Sequence, residues 1–257
     1  MRPSLSCTDV SFSYAGKSRS SILENFDISI SKFRVLSLVG PSGCGKSTLL
    51  KLIAGVVKPD CGVIQLNGEK ILGASPRRPL VFQEYALFDW LSVIENVRFA
   101  LRNRISGRKE QLSTAISFLS SVGLADVANE WPRTLSGGMR QRLALARCFA
   151  ADPSVLLQDE PFSSLDFATR EEVYHIFLEQ LHRNNASSII VTHDVAEAIH
   201  LSDCVLVVDG PPLRCVGVFE IDLETNVDGS YYQSRAFLRI QEEITQCIKR
   251  EKEKSRS

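Results

Sequence analysis

The stretch VLSLVGPSGCGKSTLL, residues 35–50, decides the fold. Its first five residues are almost wholly apolar, which is typical of a strand buried in a parallel sheet. The segment that follows matches G-x-x-x-x-G-K-[ST] at residues 40–47, and from Lys46 onward apolar residues recur at helical spacing. A strand, a glycine-rich loop and a helix in this order predict a loop that wraps phosphate groups. A chance glycine-rich turn would lack the flanking elements.

The residue types in this loop suit phosphate binding. Glycines let consecutive backbone N–H groups turn toward phosphate oxygens, and the helix N-terminus adds a partial positive charge. We predict that Lys46 reaches the terminal phosphates and that Ser47 is a ligand of Mg²⁺. The predicted phosphate-binding residues are Gly40, Pro41, Ser42, Gly43, Cys44, Gly45, Lys46, Ser47 and Thr48.

Length and composition limit the class of protein. The 257 residues suit one large α/β domain or a core with one inserted subdomain. A hydrophobic fraction of 44% excludes a mainly disordered chain, and 30 basic against 30 acidic residues argue against a nucleic-acid-binding protein. The seven cysteines are odd in number and lack metal-ligand spacing, so we expect neither a disulfide framework nor a zinc site. We also expect no signal peptide and no membrane-spanning segment.

A second candidate site lies at the end of another apolar strand. The sequence SVLLQDEP, residues 154–161, places two carboxylates side by side. We predict that Asp159 holds Mg²⁺ through water and that Glu160 polarises a water molecule for attack on the terminal phosphate. Adjacent acids at a strand end would also suit a solvated turn, but the phosphate loop upstream favours the catalytic interpretation.

A Ser-Gly-Gly turn opens a predicted helix in LSGGMRQR, residues 135–142. This turn is a second helix N-terminus suited to an anion, although an ordinary serine N-cap followed by loop glycines has the same sequence. With the phosphate loop upstream and the Asp-Glu-Pro strand downstream, the chain resembles the ATP-binding subunits of ABC transporters. The resemblance extends from Leu5 to about Leu223 and implies ATP and Mg²⁺ as cofactors.

The resemblance also implies roles for residues outside these motifs. Tyr14 would stack on the adenine ring, unless it is an ordinary strand aromatic. Gln83 would approach Mg²⁺ and the attacking water. His193 would contact the γ-phosphate, although a lone histidine after a strand is more often structural.

In the family that the chain resembles, one chain does not complete a site. Asp166 would belong to the loop that crosses to a second subunit. The residues of the Ser-Gly-Gly turn, Ser136, Gly137 and Gly138, would face the ATP of that second chain. Two chains would therefore close head to tail around two ATP molecules.

The resemblance implies a P-loop NTPase (RecA-like) α/β core with a mainly parallel sheet, an N-terminal antiparallel β portion and an inserted helical subdomain. The alternation of strand and helix patterns in both flanks agrees with such a core. We predict an ATP-binding core at 1–84 and 152–223, a helical subdomain carrying the Ser-Gly-Gly turn at 85–151, and a C-terminal helix and charged tail at 224–257. The last helical pattern is expected to end near Lys249, and the run KREKEKSRS is expected to be a solvated end.

Further segments are similar to one branch of the family. The segments EYALFDWLSVIENV, DEPFSSLD and THDVAEAIHLSDCVLVV resemble the ATPase subunits of importers for nitrate, sulfonate, taurine and related small solutes. The resemblance implies integral-membrane permease subunits and a second copy of the ATPase as partners, with a solute-binding protein as an indirect partner and no nucleic acid. The chain would lie on the cytoplasmic face of the inner or plasma membrane, attached through the permease.

The resemblance also implies a docking position for the permease. An apolar segment would receive a short cytoplasmic helix of the membrane subunit, or else would pack inside the helical subdomain. This segment contains Ala86, Leu87, Phe88, Trp90 and Leu91. We expect Phe88 and Trp90 to divide between these two roles.

Other classes of protein fit the sequence less well. The main alternative is a soluble ABC ATPase that is not engaged in transport, but translation factors of this kind carry two cassettes and repair ATPases carry long coiled-coil insertions. A GTPase would need an N/T-K-x-D motif, which the sequence lacks, and a kinase would not need LSGG. A protein that binds ATP without hydrolysing it would not need both Glu160 and His193.

Overall fold

The computed structural model describes residues 3–14, 21–81, 86–222 and 234–254. In chain order the elements are β1 (Leu5–Ser13), β2 (Ser21–Ile30), β3 (Val35–Val39), α1 (Lys46–Ala54), β4 (Cys61–Leu66), β5 (Glu69–Lys70), β6 (Leu80–Val81), α2 (Val93–Leu101), α3 (Arg108–Ser121), α4 (Gly137–Ala150), β7 (Val155–Asp159), α5 (Phe167–Arg183), β8 (Ser187–Thr192), α6 (Val195–Leu201), β9 (Cys204–Asp209), β10 (Arg214–Glu220) and α7 (Arg235–Lys254). Among the helices of these ranges, none is both long and apolar enough to cross a lipid bilayer.

The chain divides into two compact units, Met1–Ala74 with Ser187–Ser257 and Ser75–Ala186. In the first unit an antiparallel sheet has the strand order β2-β1-β4-β5. A second group of strands has β3 running parallel to both β8 and β9, with β10 antiparallel to β9. Every residue of β3 is buried, which explains its nearly continuous apolar sequence.

The C-terminal helix α7 packs on the first unit. Phe237 and Ile244 are buried in a cluster with residues of α6 and β9. The expectation that the helix ends near Lys249 is wrong, because α7 continues to Lys254. The solvated character of the charged run stays a prediction, although Lys249 and Arg250 are exposed and Glu251 Oε2 lies 3.2 Å from Arg214 Nη2. Lysine, glutamate and arginine are strong helix formers, so the charged run prolongs the helix rather than ending it.

Among its described residues, the second unit contains a helical cluster and a pair of parallel strands, β6 and β7. Helices α2, α3 and α4 bury apolar residues such as Val97, Leu119 and Leu143 against one another. Apolar residues at helical spacing predict helices at 92–101, 109–122 and 138–150, and each of the three helices begins within one residue of that predicted start. The predicted helical subdomain, 85–151, lies within this unit, and its boundaries stay a prediction.

Candidate active site

The loop between β3 and α1 is shaped by glycine. Gly43 has a φ of 81°, and a Cβ placed there would meet no atom within 4 Å. Glycine is therefore required by the backbone conformation and not by lack of space. Gly45 is the N-cap residue of α1 and has no side chain to accept hydrogen bonds from the first helical turn. Those N–H groups are thus available to an anionic ligand.

The Lys46 side chain is hydrogen-bonded to the backbone of this loop. Its Nζ donates hydrogen bonds of 2.8 Å to the carbonyl oxygens of Gly40 and Pro41, and the residue is only 6% exposed. An ammonium group has three N–H donors, so one remains for a phosphate oxygen. Ser47 follows in the first turn of α1. A backbone cradle, a buried cation and a hydroxyl fit a nucleotide phosphate accompanied by Mg²⁺.

Cys44 occupies the loop as a packing residue. Its side chain is fully buried, and burial raises the pKa of the Cys44 thiol, while Lys46 opposes that shift in part. A thiol in this state is a poor nucleophile at neutral pH.

Two aromatic residues near the end of β1 have different environments. Phe12 is buried, whereas Tyr14 is 46% exposed, with its ring centroid 4.9 Å from that of Phe12 in an edge contact. Tyr14 OH lies 3.5 Å from Thr48 Oγ1, in the first turn of α1. The structure therefore brings Tyr14 next to the phosphate loop, with ring surface left for a ligand.

His193 follows β8 at the same sheet edge as the phosphate loop. Val39 and Thr192 are partners in the parallel β3–β8 pair, so Gly40 and His193 leave the two strands side by side. Asp194 then caps α6, with its Oδ1 accepting hydrogen bonds from the N–H groups of Ala196 (2.8 Å) and Glu197 (3.2 Å). The backbone on both sides of the exposed His193 is thereby fixed.

In the second unit, Asp159 and Glu160 lie where β7 ends, and both are half-buried. Glu160 has a φ of 48°, a left-handed conformation that costs about 1–2 kcal/mol for a residue with a Cβ. Ser163 stabilises this turn, because its N–H and Oγ both donate to the Glu160 carbonyl oxygen, at 3.4 and 3.0 Å. Phe162 is fully buried and makes an edge contact with the Tyr174 ring, with centroids 5.0 Å apart. A strained glutamate held in this way is typical of a functional position.

The Ser-Gly-Gly turn forms the N-terminus of α4. Ser136 is the N-cap residue, and its Oγ accepts a hydrogen bond of 3.3 Å from Met139 N–H. Ser136 and Gly137 are exposed, so this helix end opens to solvent. The partial positive charge of the helix is available there to an anion from outside the chain.

Thr169, which the sequence analysis missed, connects two of the predicted loops. A Cβ on Gly138 would lie 2.3 Å from Thr169 Cγ2, so only glycine allows this approach. Thr169 N–H also donates to Asp166 Oδ1 at 3.1 Å, which caps α5. Hydrogen bonds from Thr169 lower the pKa of the Asp166 carboxyl. The available signal was the capping pattern Asp-x-x-Thr at residues 166–169.

The predicted site residues are thus distributed over the two units. The first unit holds Tyr14, the loop 40–48 and His193, and the second holds Ser136, Gly137, Gly138, Asp159, Glu160 and Asp166. Gln83 lies outside the described residues, so its role stays a prediction.

A phosphate loop between a buried strand and a helix, strand-end carboxylates and an exposed serine-capped helix end define the class of P-loop nucleotide-hydrolysing proteins. The family model described as ABC transporter matches residues 23–163. The chain belongs to the ABC transporter family, and it is an ATPase of that family.

Relatives of known name cover most of the chain. It is 40% identical over 226 residues to the nitrate import ATP-binding protein NrtD of Synechocystis sp., spanning 88% of this chain and 84% of that protein. It is 41% identical over 213 residues to the taurine import ATP-binding protein TauB of Pseudomonas aeruginosa, spanning 83% and 81%.

A solved structure has the same fold. The post-hydrolysis dimer of the ATP-binding cassette MJ0796 bound to ADP and Pi has a TM-score of 0.72 and 26% identity, and the match covers 86% of this chain and 100% of that one. The described strands and helices are therefore those of an ABC ATPase cassette.

Proposed function

We propose that this chain is the ATP-binding and ATP-hydrolysing subunit of a membrane importer for a small solute of the nitrate, sulfonate or taurine kind. The observation that carries the proposal is the similarity of about 40% to a nitrate and a taurine import ATP-binding protein over more than four fifths of each chain. The intact phosphate loop and the strained Glu160 support ATP hydrolysis.

The first unit supplies most of the nucleotide contacts in this proposal. Tyr14 stacks on adenine, and the loop 40–48 binds the phosphates, with the spare Lys46 donor on the terminal groups. Ser47, Gln83 and Asp159 hold Mg²⁺. The metal ion, when bound, neutralises charge on the β- and γ-phosphate oxygens.

In this proposal the chain promotes hydrolysis by positioning the reacting groups and by stabilising charge. Glu160 accepts a proton from the attacking water, and its fixed backbone supports that orientation. Gln83 orients the same water, and His193 contacts the γ-phosphate from the sheet edge that it shares with the phosphate loop. These groups move or hold protons without forming a covalent intermediate.

The exposed end of α4 supports a second copy of the chain as partner. Ser136, Gly137 and Gly138 bind the ATP held by the other copy, and Asp166 lies beside them at the crossing loop. Thr169 keeps the two loops together, because it contacts Gly138 and donates to Asp166. The dimeric state of the MJ0796 cassette supports this arrangement.

The permease binds to the surface formed by Phe88, Trp90 and Phe99, which we term the docking surface. Trp90 is 72% exposed, whereas Phe88 is half-buried, with its ring centroid 4.7 Å from that of Phe99. The exposed Trp90 supports the docking role for that residue, and the contact of the half-buried Phe88 with Phe99 supports the packing role for Phe88. The chain is then held at the cytoplasmic face of the membrane, and a solute-binding protein delivers cargo to the permease.

The proposal is tested by isolation of the complex followed by transport measurement. A tagged Glu160→Gln chain, which retains ATP, is purified from detergent-solubilised membranes, and the multi-span subunits that accompany it are identified. The wild-type chain is then reconstituted with those subunits in proteoliposomes, and ATP-dependent movement of nitrate, taurine and an alkanesulfonate is measured. Lys46→Ala is the inactive control.

ATP-dependent uptake of one of these solutes would support the proposal and name the cargo. If only soluble proteins accompany a chain that hydrolyses ATP, the transport proposal is wrong, and the chain is a soluble ABC ATPase.

A further inference from the structure

Arg147, near the end of α4, joins this helix to the docking surface. Its Nη1 donates a 2.6 Å hydrogen bond to the carbonyl oxygen of Ala86. Its guanidinium also lies 5.0 Å from the centroid of the Phe88 ring, a cation–π distance. Partial burial lowers the pKa of the Arg147 guanidinium, which stays charged at neutral pH. A single side chain thus contacts both the backbone and the ring of the segment next to Trp90.

Asn96 makes that segment rigid. It is fully buried, and its Oδ1 accepts a hydrogen bond of 2.9 Å from Phe88 N–H. Its Nδ2 donates to the carbonyl oxygens of Phe88, Leu91 and Ser92 at 3.0–3.1 Å. Residues 88–92 are therefore held as one piece, so a displacement at Ala86 or Phe88 also moves Trp90.

The other end of α4 carries Ser136 and Gly137, the residues proposed to bind the ATP of a second chain. Between Ser136 and Arg147 the helix is lined with buried residues such as Leu143 and Leu145. Eleven residues of α-helix span about 16 Å and behave as a stiff rod. A displacement of α4 at Ser136 is thus transmitted to Arg147 with little loss of amplitude.

We propose that Arg147 is a positioning residue that transmits ATP-driven movement of α4 to the docking surface. This inference rests on the proposed function, both for the second copy that presents ATP to Ser136 and for the response of a permease. Its first step needs only copies of this chain and ATP, and the two steps are measured separately.

The first step is measured with a tryptophan signal. The sequence has two tryptophans, Trp90 and Trp131, so Trp131→Phe leaves Trp90 as the sole indole reporter. In a Trp131→Phe/Glu160→Gln chain, we expect Mg·ATP to change the emission and anisotropy of Trp90. Arg147→Met keeps much of the apolar packing but removes both contacts, and it is expected to reduce this change about fivefold or more. Arg147→Lys restores it in part, because an ammonium also donates to a carbonyl and lies over a ring.

Arg104→Met is the matched control. Arg104 Nη1 donates to the carbonyl oxygen of Ala150, the last residue of α4, at 2.8 Å. It is thus another arginine tied to a carbonyl at this end of the helix, but its contact does not lead to Trp90. We expect the Trp90 response of Arg104→Met to equal that of the parent chain. Thermal unfolding of all variants shows whether each one is folded.

The second step is measured in the reconstituted complex, with Glu160 restored. We expect Arg147→Met to hydrolyse ATP in isolation within about twofold of wild type and to lose about fivefold or more of the stimulation by the permease. If Arg147 had only a structural role, Arg147→Met would lower the basal and the permease-stimulated rates of ATP hydrolysis together.

Three results would overturn the inference: no Trp90 response in the parent chain, a full response in Arg147→Met, or equal loss in Arg147→Met and Arg104→Met. If the wild-type chain neither binds nor responds to the membrane subunits, the proposed function fails instead. The tryptophan experiment then still decides whether Arg147 connects α4 to Trp90.

Discussion

The N-termini of α1 and α4 are both suited to anions, but their surroundings differ. At α1 the helix end follows the phosphate loop, and we term it the enclosed end because Lys46 is buried and bonded to the carbonyl oxygens of Gly40 and Pro41. At α4 the helix end is exposed and is capped by the neutral hydroxyl of Ser136. We expect the first end to hold a phosphate by itself and the second to bind a phosphate that another molecule presents.

Because of this difference, we expect the α1 end to contribute to nucleotide binding and the α4 end to contribute to association of two chains. A buried cation and a closed loop give affinity for a phosphate within one chain, since the charge is desolvated and already oriented. An open helix end adds a modest attraction, which is strongest when the ligand arrives already fixed in place. We therefore propose that one end determines nucleotide affinity and that the other determines whether two ATP-bound chains associate.

The largest effect is expected at the enclosed end. Lys46→Ala removes the buried cation of the phosphate loop, and loss of one preorganised donor of this kind lowers turnover by about 10²–10³-fold. Lys51→Ala, in the last turn of the same helix, is expected to leave turnover unchanged. Steady-state ATP hydrolysis and fluorescent-nucleotide binding measure both variants. Equal losses in the two would contradict a special role for the enclosed end.

The exposed end is tested by adding charge without removing the cap. Ser136→Asp keeps an N-cap acceptor and suits the helix dipole, so the free energy of unfolding should not fall. An added carboxylate facing the phosphate of a second chain costs several kcal/mol, and ATP-dependent dimerisation should weaken by about a hundredfold. Analytical ultracentrifugation in a Glu160→Gln background measures this.

Ser92→Asp is the matched control for that change. Ser92 caps α2 in a similar way, because its Oγ accepts a hydrogen bond of 3.4 Å from Glu95 N–H. It should dimerise like the parent. Normal dimerisation of Ser136→Asp would show that Ser136 serves only as a cap.

Glycine substitutions should show smaller effects of two different kinds. In Gly138→Ala the new Cβ meets Thr169 Cγ2 at 2.3 Å, and overpacking of this kind lowers the free energy of unfolding by about 1–3 kcal/mol. Adding Thr169→Ser removes that methyl group and should recover most of the loss.

In Gly43→Ala the free energy of unfolding is expected to fall by about 1–2 kcal/mol because of backbone strain, so no neighbouring substitution should restore it. Urea unfolding of the single and double variants measures the free energy of unfolding of each. If Thr169→Ser does not restore the stability of Gly138→Ala, the steric explanation is wrong.

Local sequence signals predicted much of the fold. The apolar runs at 155–159 and 187–192 each lie between turn residues and predict strands there, and β7 and β8 have these ends. Helix α4 begins within one residue of its predicted start, because Ser136 is a strong N-cap signal. The end of α7 was predicted about five residues too early, because the apolar pattern ends near Lys249 whereas the charged residues that follow also favour helix.

Contacts between distant parts of the sequence could not be predicted in the same way. Arg147 and Ala86 are 61 positions apart, and the approach of Thr169 to Gly138 depends on how α4 and α5 pack. The left-handed backbone of Glu160 is also fixed by its surroundings, because no glycine or asparagine marks the position. The motifs thus identified the chemical groups, whereas tertiary packing determined the residues that hold them.

The most direct test of the account mixes two inactive variants, Lys46→Ala and Ser136→Asp. If each ATP lies between the enclosed end of one chain and the exposed end of another, a mixed dimer has one intact site out of two. At chain concentrations well above the dissociation constant of the weakened dimer the chains pair at random, and half of the dimers in an equimolar mixture are mixed. ATP hydrolysis should then recover to about a quarter of the wild-type rate. If each chain completes its own site, the mixture will remain as inactive as the separate variants, and the account is wrong.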